Sequence, residues 1–585
     1  MIKRFAALAS AGLLVSVAAL VYTSGLAGAA TKPPTNAKGK VLQVEKADTS
    51  PQLKSLKGKN DPVEVAPAGK VKEMPLRGRV QQEVAPAQAS PAPRAAESAG
   101  PEGPLSPPPV RNFEGLEFTD PVFPPDPNGA AGPNHYVQIV NLTFAVYDKN
   151  GTELFRAKNN TLWAGFGGLC QTNNNGDPVV EFDRYANRWV ISQFAFNTPL
   201  TGAWGPFHQF VAVSTTADPL GTYSRYDFLV SQNLLNDYPK IGVWPDGYYL
   251  TFNQYRDCAG TGASCRWAGG GVVVMERDRM VLGRPNARAV YFNMQDYNVE
   301  WGNFLPADVD GPILPPSGSP GYVASLANRI LPNGADTAPL PRLQIFSVHV
   351  DWQFPFNSTF NLTRELNTPN FNPFFNPAGC FSPDPNGLPQ ICIPQPGTTS
   401  RLEGITDRLM YRLQYRNFGD HEALVSNHAI NVGDPNGENV ATTRWFELRQ
   451  QPGVQWSIYQ LGTLPAADGI SRWMGSAAMD EHENIALGYS VSNSTNVFPG
   501  IRYNSRRQTD PINTMPQGET VLVNGGGVQL DPRGRWGDYS AMQLDPTDDC
   551  TFWYTNQYQR ATATVHWYTR VGAFNFPDCG ARSTA

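Results

Sequence analysis

Seven times along this chain one short plan returns: a polar or aromatic lead enters a few small and apolar residues, a turn opens at an Asp, and a second extended run follows. The clearest copies are Asp177-Pro178-Val179-Val180-Glu181-Phe182-Asp183, Asp237-Tyr238-Pro239-Lys240-Ile241-Gly242-Val243-Trp244, Arg472-Trp473-Met474-Gly475-Ser476-Ala477-Ala478-Met479-Asp480 and Arg535-Trp536-Gly537-Asp538-Tyr539-Ser540-Ala541-Met542. Weaker copies open at 133, 308 and 408. Most openers stand 44 to 71 residues apart; the wider gap from 308 to 408 holds an insertion rich in Asn, Pro and Phe between 357 and 399. A unit of this size holds about four short strands and cannot bury both faces of its sheet alone. Closing the units into a ring buries the faces between neighbours and leaves only short edges. The expected fold is therefore all-β, a seven-bladed β-propeller, with six or eight blades if the insertion hides or mimics a unit. A stack of β-sandwich modules is the rival architecture.

Local patterning agrees. Tyr136 to Phe144, Trp189 to Phe196, Gly247 to Phe252 and Leu343 to Val350 alternate apolar with polar residues or are rich in β-branched ones. Gly, Pro, Asn or Asp lies nearby, which is the mark of short strands joined by turns. The 54 Gly and 52 Pro supply those turns.

The N-terminus reads differently. Lys3 and Arg4 precede an apolar run from Phe5 to Tyr22, and Ala27-Gly28-Ala29 follows. That order makes 1–29 a secretory signal peptide or a retained N-terminal anchor. Residues 30–112 are rich in Pro, Ala, Lys, Glu and Gln and contain no aromatic residue, so they are expected to form a disordered linker. The propeller domain is expected over 113–585. A net charge of -5 excludes a generally basic nucleic-acid binder.

The strand plan resembles secreted bacterial β-propeller proteins of the broad sialidase-like kind over most of 113–585. The Ser-x-Asp-x-Gly-x-x-Trp box of sialidase blades is missing here, so the resemblance implies fold and export and does not carry sialidase activity over. Export places the cysteines where disulfides persist. Cys258 with Cys265, Cys380 with Cys392, and Cys550 with Cys579 are the candidate pairs, and Cys170 is left as a buried thiol.

Candidate sites follow from the ring. Its inner strands would bring Asp177, Asp237, Arg408, Arg472, Arg535 and Asp538 to the channel or its mouth. There they form either interblade ion pairs or a polar pocket for a sugar or an acidic group. Asp-Pro-Asn-Gly occurs at 126–129, 384–387 and 434–437, primarily as a tight turn. Its oxygens also make Asp126, Asn128, Asp384 and Asp434 calcium candidates, together with Asp308 and Asp310. Calcium is the one cofactor these residues admit. Among seven histidines no pair has zinc-hydrolase spacing, and Phe418-Gly419-Asp420-His421-Glu422 reads as a surface turn into a strand. The expected function is an exported protein, secreted, periplasmic or at the cell surface, that binds a glycan or an envelope protein. It has no nucleic-acid partner and touches a membrane only through an uncleaved N-terminus. An extracellular glycoside hydrolase or polysaccharide lyase is the first alternative, and a structural envelope assembly protein the second.

Overall fold

A computed structural model describes residues 37–56, 105–120, 122–199, 201–260, 265–327, 341–371, 391–433 and 439–580, with only the backbone of Lys72–Glu73 between the first two stretches. Its elements are almost all strands. Two nine-stranded sheets each contain two four-stranded meanders, and three further sheets have four strands, which gives seven antiparallel meanders among the described residues. Their first strands are Asn128–Ala131, Val179–Asp183, Leu235–Trp244, Leu305–Asp310, Met410–Asn417, Ser471–Met479 and Ala541–Leu544. Each lies against the first strand of the next, and Ala541–Leu544 lies against Asn128–Ala131, so the succession of neighbours returns to its start. The all-β expectation holds. The openers at 177, 237, 308, 408, 472 and 535 fall in or within six residues of these strands.

The repeated Asp has a physical task. Asp183 Oδ1 accepts hydrogen bonds from the backbone N–H of Tyr185 and Ala186, at 3.1 and 2.9 Å. Asp480 Oδ1 accepts from His482 and Asn484 in the same way, and Asp545 Oδ1 from Thr547. Each carboxylate thus closes the hairpin between the first and second strands of its meander. Between neighbouring sheets, large side chains interdigitate: Trp189 is fully buried among Val137, Ile139, Val180 and Ile191, and Tyr136 stacks on Trp553 with centroids 5.1 Å apart. Removing a buried Trp of this kind costs about 3–5 kcal/mol.

The linker expected over 30–112 is corrected at both of its described ends. Lys40–Thr49 is a strand inserted between Tyr223–Ser231 of the second meander and Arg288–Asn293 of the third. Its side chains offer little apolar surface, but two neighbouring edges satisfy its backbone on both sides, and Leu42 is buried between them. Asp48 forms a bidentate pair with Arg225, whose guanidinium is 1% exposed. Farther on, Arg111–Glu117 pairs with Tyr568–Phe574 and supplies the fourth strand of the last meander. The folded part therefore begins before residue 113, and a strand from upstream of the first meander completes the last one.

The insertion expected over 357–399 is also redrawn. Thr359–Asn367 is the fourth strand of the fourth meander, and Ile391–Ile393 pairs with Leu402–Glu403; residues 372–390 lie outside the described residues. Disulfides join Cys258 to Cys265 and Cys550 to Cys579. Cys392 is disulfide-bonded, and its expected partner Cys380 lies outside the described residues, as does the segment 1–29. Cys170 is buried and free, and burial pushes its thiol well above the ordinary range. No helix among the described residues is long and apolar enough to cross a membrane.

Candidate functional site

The residues that enter the first strands share an unusual backbone. Asp126, Asp177, Tyr238, Asn303, Met474 and Asp538 all have positive φ, between 44° and 66°, and each stands within three residues of the start of a first strand. Non-glycine residues in this region are strained, and such strain gathers where side chains must be aimed. Here it aims three carboxylates at one place.

Asp126, Asp177 and Asp538 come from the first, second and seventh meanders, and the charges of Asp177 and Asp538 both act on Asp126. Asp177 is tied on two sides: its N–H donates to Asn141 Oδ1 at 2.8 Å, and its Oδ2 accepts from the Tyr238 N–H at 3.0 Å. Tyr238 donates its hydroxyl to the Asp538 carbonyl at 2.9 Å, and Tyr539 donates to the Pro178 carbonyl at 3.3 Å. The two rings hold Lys240 between them, its Nζ 3.5 Å from one centroid and 3.7 Å from the other, while the ammonium donates to the Pro239 carbonyl at 3.0 Å. A cation against two aromatic faces is attracted by both. Lys240 is fully buried, Asp126 is 1% exposed and Asp177 4%, whereas the Asp538 side chain is 15% exposed.

Burial and mutual repulsion set the protonation of this group. Burial, then the Asp538 and Asp177 charges, raise Asp126 well above the carboxylate range, against Lys240 and Arg535. Burial and the Asp538 charge push Asp177 up to about 6, with Lys240, the Tyr238 N–H and Arg535 opposing. Burial brings Lys240 down to about 7 although all three carboxylates pull it up. Asp126 Oδ1 and Asp177 Oδ1 are buried with no hydrogen-bond partner. Unpaired buried oxygens are costly, so their presence here needs a reason.

Around this centre lies a rim of ion pairs. Arg535 donates to Glu403 at 2.8 Å and to Asp538 at 2.7 Å, linking the segment before the fifth meander to the seventh. Burial raises Glu403 to about 7 despite that arginine. Arg408 pairs with Asp407 at 3.0 Å and lies over the Tyr238 ring. Of the expected mouth residues, Asp177, Arg408, Arg535 and Asp538 therefore do converge. Asp237 is buried in the chain directly before Tyr238. Arg472 does not join them: it pairs with Asp468 at 2.7 Å and Glu519 at 2.8 Å within the sixth meander. The same strand carries a register shift between Trp473 and Ser476.

The calcium expectations fare differently one by one. Asp308 and Asp310 are gripped by the buried guanidinium of Arg412, which donates to both, and Gln414 donates to Asp310 at 2.7 Å. The guanidinium thus bridges the two carboxylates. Asn128 uses its side-chain oxygen to accept from the Val180 N–H at 2.9 Å, joining the first two meanders. Asp126 belongs to the carboxylate group above, and Asp384 and Asp434 lie outside the described residues. Sequence reading missed Asp126 as a partner of Asp177, Lys240, and Glu181. Glu181 lies on a neighbouring first strand, accepts from Gln543 at 3.1 and 3.0 Å, and is raised well above its usual range by burial and the Asp308 charge. The Asp-Pro pair shared by 126–127 and 177–178 was the available signal for the first of these.

An open groove of about 730 Å³ begins two residues before Asp177. Asn173, Asn174, Asn175, Asn197 and Thr198 line it. Amide and hydroxyl groups in such a lining can meet sugar hydroxyls from both the donor and the acceptor side.

No known family model matches this chain, and no curated protein matches it. Solved structures similar to it include a protein of unknown function from Dyadobacter fermentans DSM 18053, at 10% identity over 68% of this chain and 94% of that one, with a TM-score of 0.33. Another is a Cellvibrio cellulosa alpha-L-arabinanase, at 10% identity over 57% and 94%, with a TM-score of 0.26. Parainfluenza virus 5 hemagglutinin-neuraminidase is a third, at 10% identity over 70% and 94%, with a TM-score of 0.29. Likeness at these scores decides nothing about activity; the residues of the mouth must do so.

Proposed function

We propose that the chain is an exported seven-bladed β-propeller that cleaves glycosidic bonds at the mouth where its first strands begin. The closed succession of seven meanders supports the propeller, and the Lys3-Arg4 lead with its apolar run supports export. The observation that carries the activity is the pair of buried, unpartnered oxygens on Asp126 and Asp177 beside Asp538, the most exposed of the three. Glycoside hydrolysis needs one carboxyl that keeps its proton and one that does not. In this reading Asp177, protonated up to about pH 6, is the general acid. Asp538, ion-paired to Arg535, is the base or nucleophile. Burial, with the Asp538 charge, sustains the proton on Asp177, and the Asn-lined groove receives the sugar chain.

One observation favours a second reading, glycan binding without turnover. The Tyr238 and Tyr539 hydroxyls are both tied to carbonyls across the mouth and leave Asp126 and Asp177 almost no surface. Reducing-end release from a panel of plant and microbial polysaccharides separates the two. Hydrolysis predicts release that falls at least a hundredfold in both Asp177→Asn and Asp538→Asn with binding retained. Binding without release across the panel would leave the second reading standing and end the first.

A further inference from the structure

His421 was expected on a surface turn, yet its side chain is only 5% exposed. It stands at the hairpin between Met410–Asn417 and Glu422–Asn431 of the fifth meander, packed face to face with Phe418 at 5.0 Å. Its Nδ1 is bonded to Asp420 Oδ1 at 2.8 Å. A carboxylate on one ring nitrogen holds the proton there and leaves the other nitrogen as a lone pair. That other nitrogen, Nε2, is buried, makes no hydrogen bond, and points at Glu483 Oε2 from 3.8 Å.

Two carboxylates meet it. Glu447 is fully buried on the third strand of the fifth meander, Ala441–Gln451, and Glu483, with a φ of 59°, sits at the first hairpin of the sixth with its side chain 20% exposed. One ligand atom from each of His421, Glu447 and Glu483 lies within 4.8 Å of the others. We propose that these three residues hold a divalent transition-metal ion, zinc in the first instance, as a clip between the fifth and sixth meanders. One imidazole nitrogen with two carboxylate oxygens is a zinc donor set, and a carboxylate behind the histidine is the usual support for one. Three ligands on one zinc stand about 3.4 Å apart, so small side-chain rotations close the set.

Without the ion, Arg449 does the balancing. It donates to Glu447 and, at 2.5 Å, to Glu483, while Gln460 donates to the other Glu447 oxygen at 2.5 Å. Arg449 also lies 3.6 Å from the Tyr459 ring centroid, a resting place for its charge once the metal takes the carboxylates. Arg506 acts on the same group through Gln460, so the two arginines are the charges a metal must overcome. The other cluster of ligand-type residues among the described residues, Asp548 with Cys550 and Cys579, offers no thiolate because its cysteines form a disulfide.

The test uses the full chain, stripped with chelator, dialysed and titrated with zinc chloride. Calorimetry is expected to show one site per chain, with a rise in thermal midpoint as zinc is added, because an ion that binds only the folded state stabilises it. His421→Gln and Glu483→Gln, both confirmed folded by circular dichroism, are expected to weaken zinc at least tenfold, whereas Asp177→Asn leaves it unchanged. Arg449→Met is the second arm: removing the resident cation is expected to tighten zinc. A wild-type chain that takes up no stoichiometric zinc, or an Arg449→Met chain that is destabilised and gains no affinity, would make Arg449 the permanent partner and overturn the clip.

Discussion

The hydroxyl of Tyr238 donates to the backbone carbonyl of Asp538 at 2.9 Å across 300 residues of chain. One bond thereby ties the third meander to the seventh over the top of Lys240. The same segment carries Arg535, whose guanidinium joins Glu403 to Asp538 while itself 1% exposed. A buried pair of this kind is expensive to break from one side only, because the remaining charge is left without a partner.

Arg535→Ala is therefore expected to destabilise the protein by about 3–5 kcal/mol. The double variant Glu403→Gln with Arg535→Met is expected to recover a large part of that loss, since no bare charge remains between those two positions. Urea unfolding of the wild type and the variants checks both statements, with a loss below about 1 kcal/mol for Arg535→Ala counting against a desolvated pair.

Asp177 makes stability depend on pH. Folded, it keeps its proton up to about pH 6; unfolded, it releases it near 3.8. The folded state binds more protons between those values, so its advantage is complete below pH 3.8 and is lost as pH rises through 6. Asp177→Asn, which never ionises, is expected to gain on the wild type over that window, on the order of 2–3 kcal/mol by pH 7. Thermal melts of both proteins from pH 4 to 8 measure it. Parallel pH curves would show that Asp177 is not perturbed. If Asp177 is the acid of a hydrolytic centre, turnover declines above about pH 6 as well.

Lys40–Thr49 fills the space between two sheet edges. Deleting residues 1–56 would open the edges of Tyr223–Ser231 and Arg288–Asn293 and strand the buried guanidinium of Arg225. Exposed edges pair with other chains. The truncated protein is expected to melt several degrees lower and to aggregate in light scattering at concentrations where the full chain stays monodisperse. A truncation that melts like the full chain would mean that this strand adds nothing to the fold.

The two fully described disulfides should contribute unequally. Cys550–Cys579 closes 29 residues and Cys258–Cys265 only 7. Loop-closure entropy gives about 3.6 kcal/mol for the first and about 2.4 kcal/mol for the second. Cys550→Ser with Cys579→Ser is thus expected to lower the unfolding free energy more than Cys258→Ser with Cys265→Ser, and chemical denaturation ranks them.

How much of this was readable beforehand differs from element to element. The hairpins at Asp183, Asp480 and Asp545 were legible because an Asp that bonds the backbone two residues on is a local event. Lys40–Thr49 was not, because its partners lie more than 170 residues downstream and its own side chains are mostly polar. Arg472 was misplaced beside Arg535 although both precede a Trp; a shift of register within a strand changes the face a side chain takes, and composition does not record such shifts. His421 was misread for a related reason: the turn was foreseen, but the sixth-meander hairpin that covers it was not.

Alternation, turn chemistry and the recurrence of one opener were enough to determine an all-β chain of repeated meanders with Asp-closed hairpins, since each depends on residues within reach of one another along the backbone. Tertiary structure alone decided that Asp126, Asp177 and Asp538 share a buried field, that Lys240 carries no direct carboxylate contact among the described residues, and that a histidine and two glutamates from adjacent sheets face one point. The physical reason is that charge interaction and desolvation depend on distance through space and on exclusion of water, and neither quantity exists until the meanders have packed.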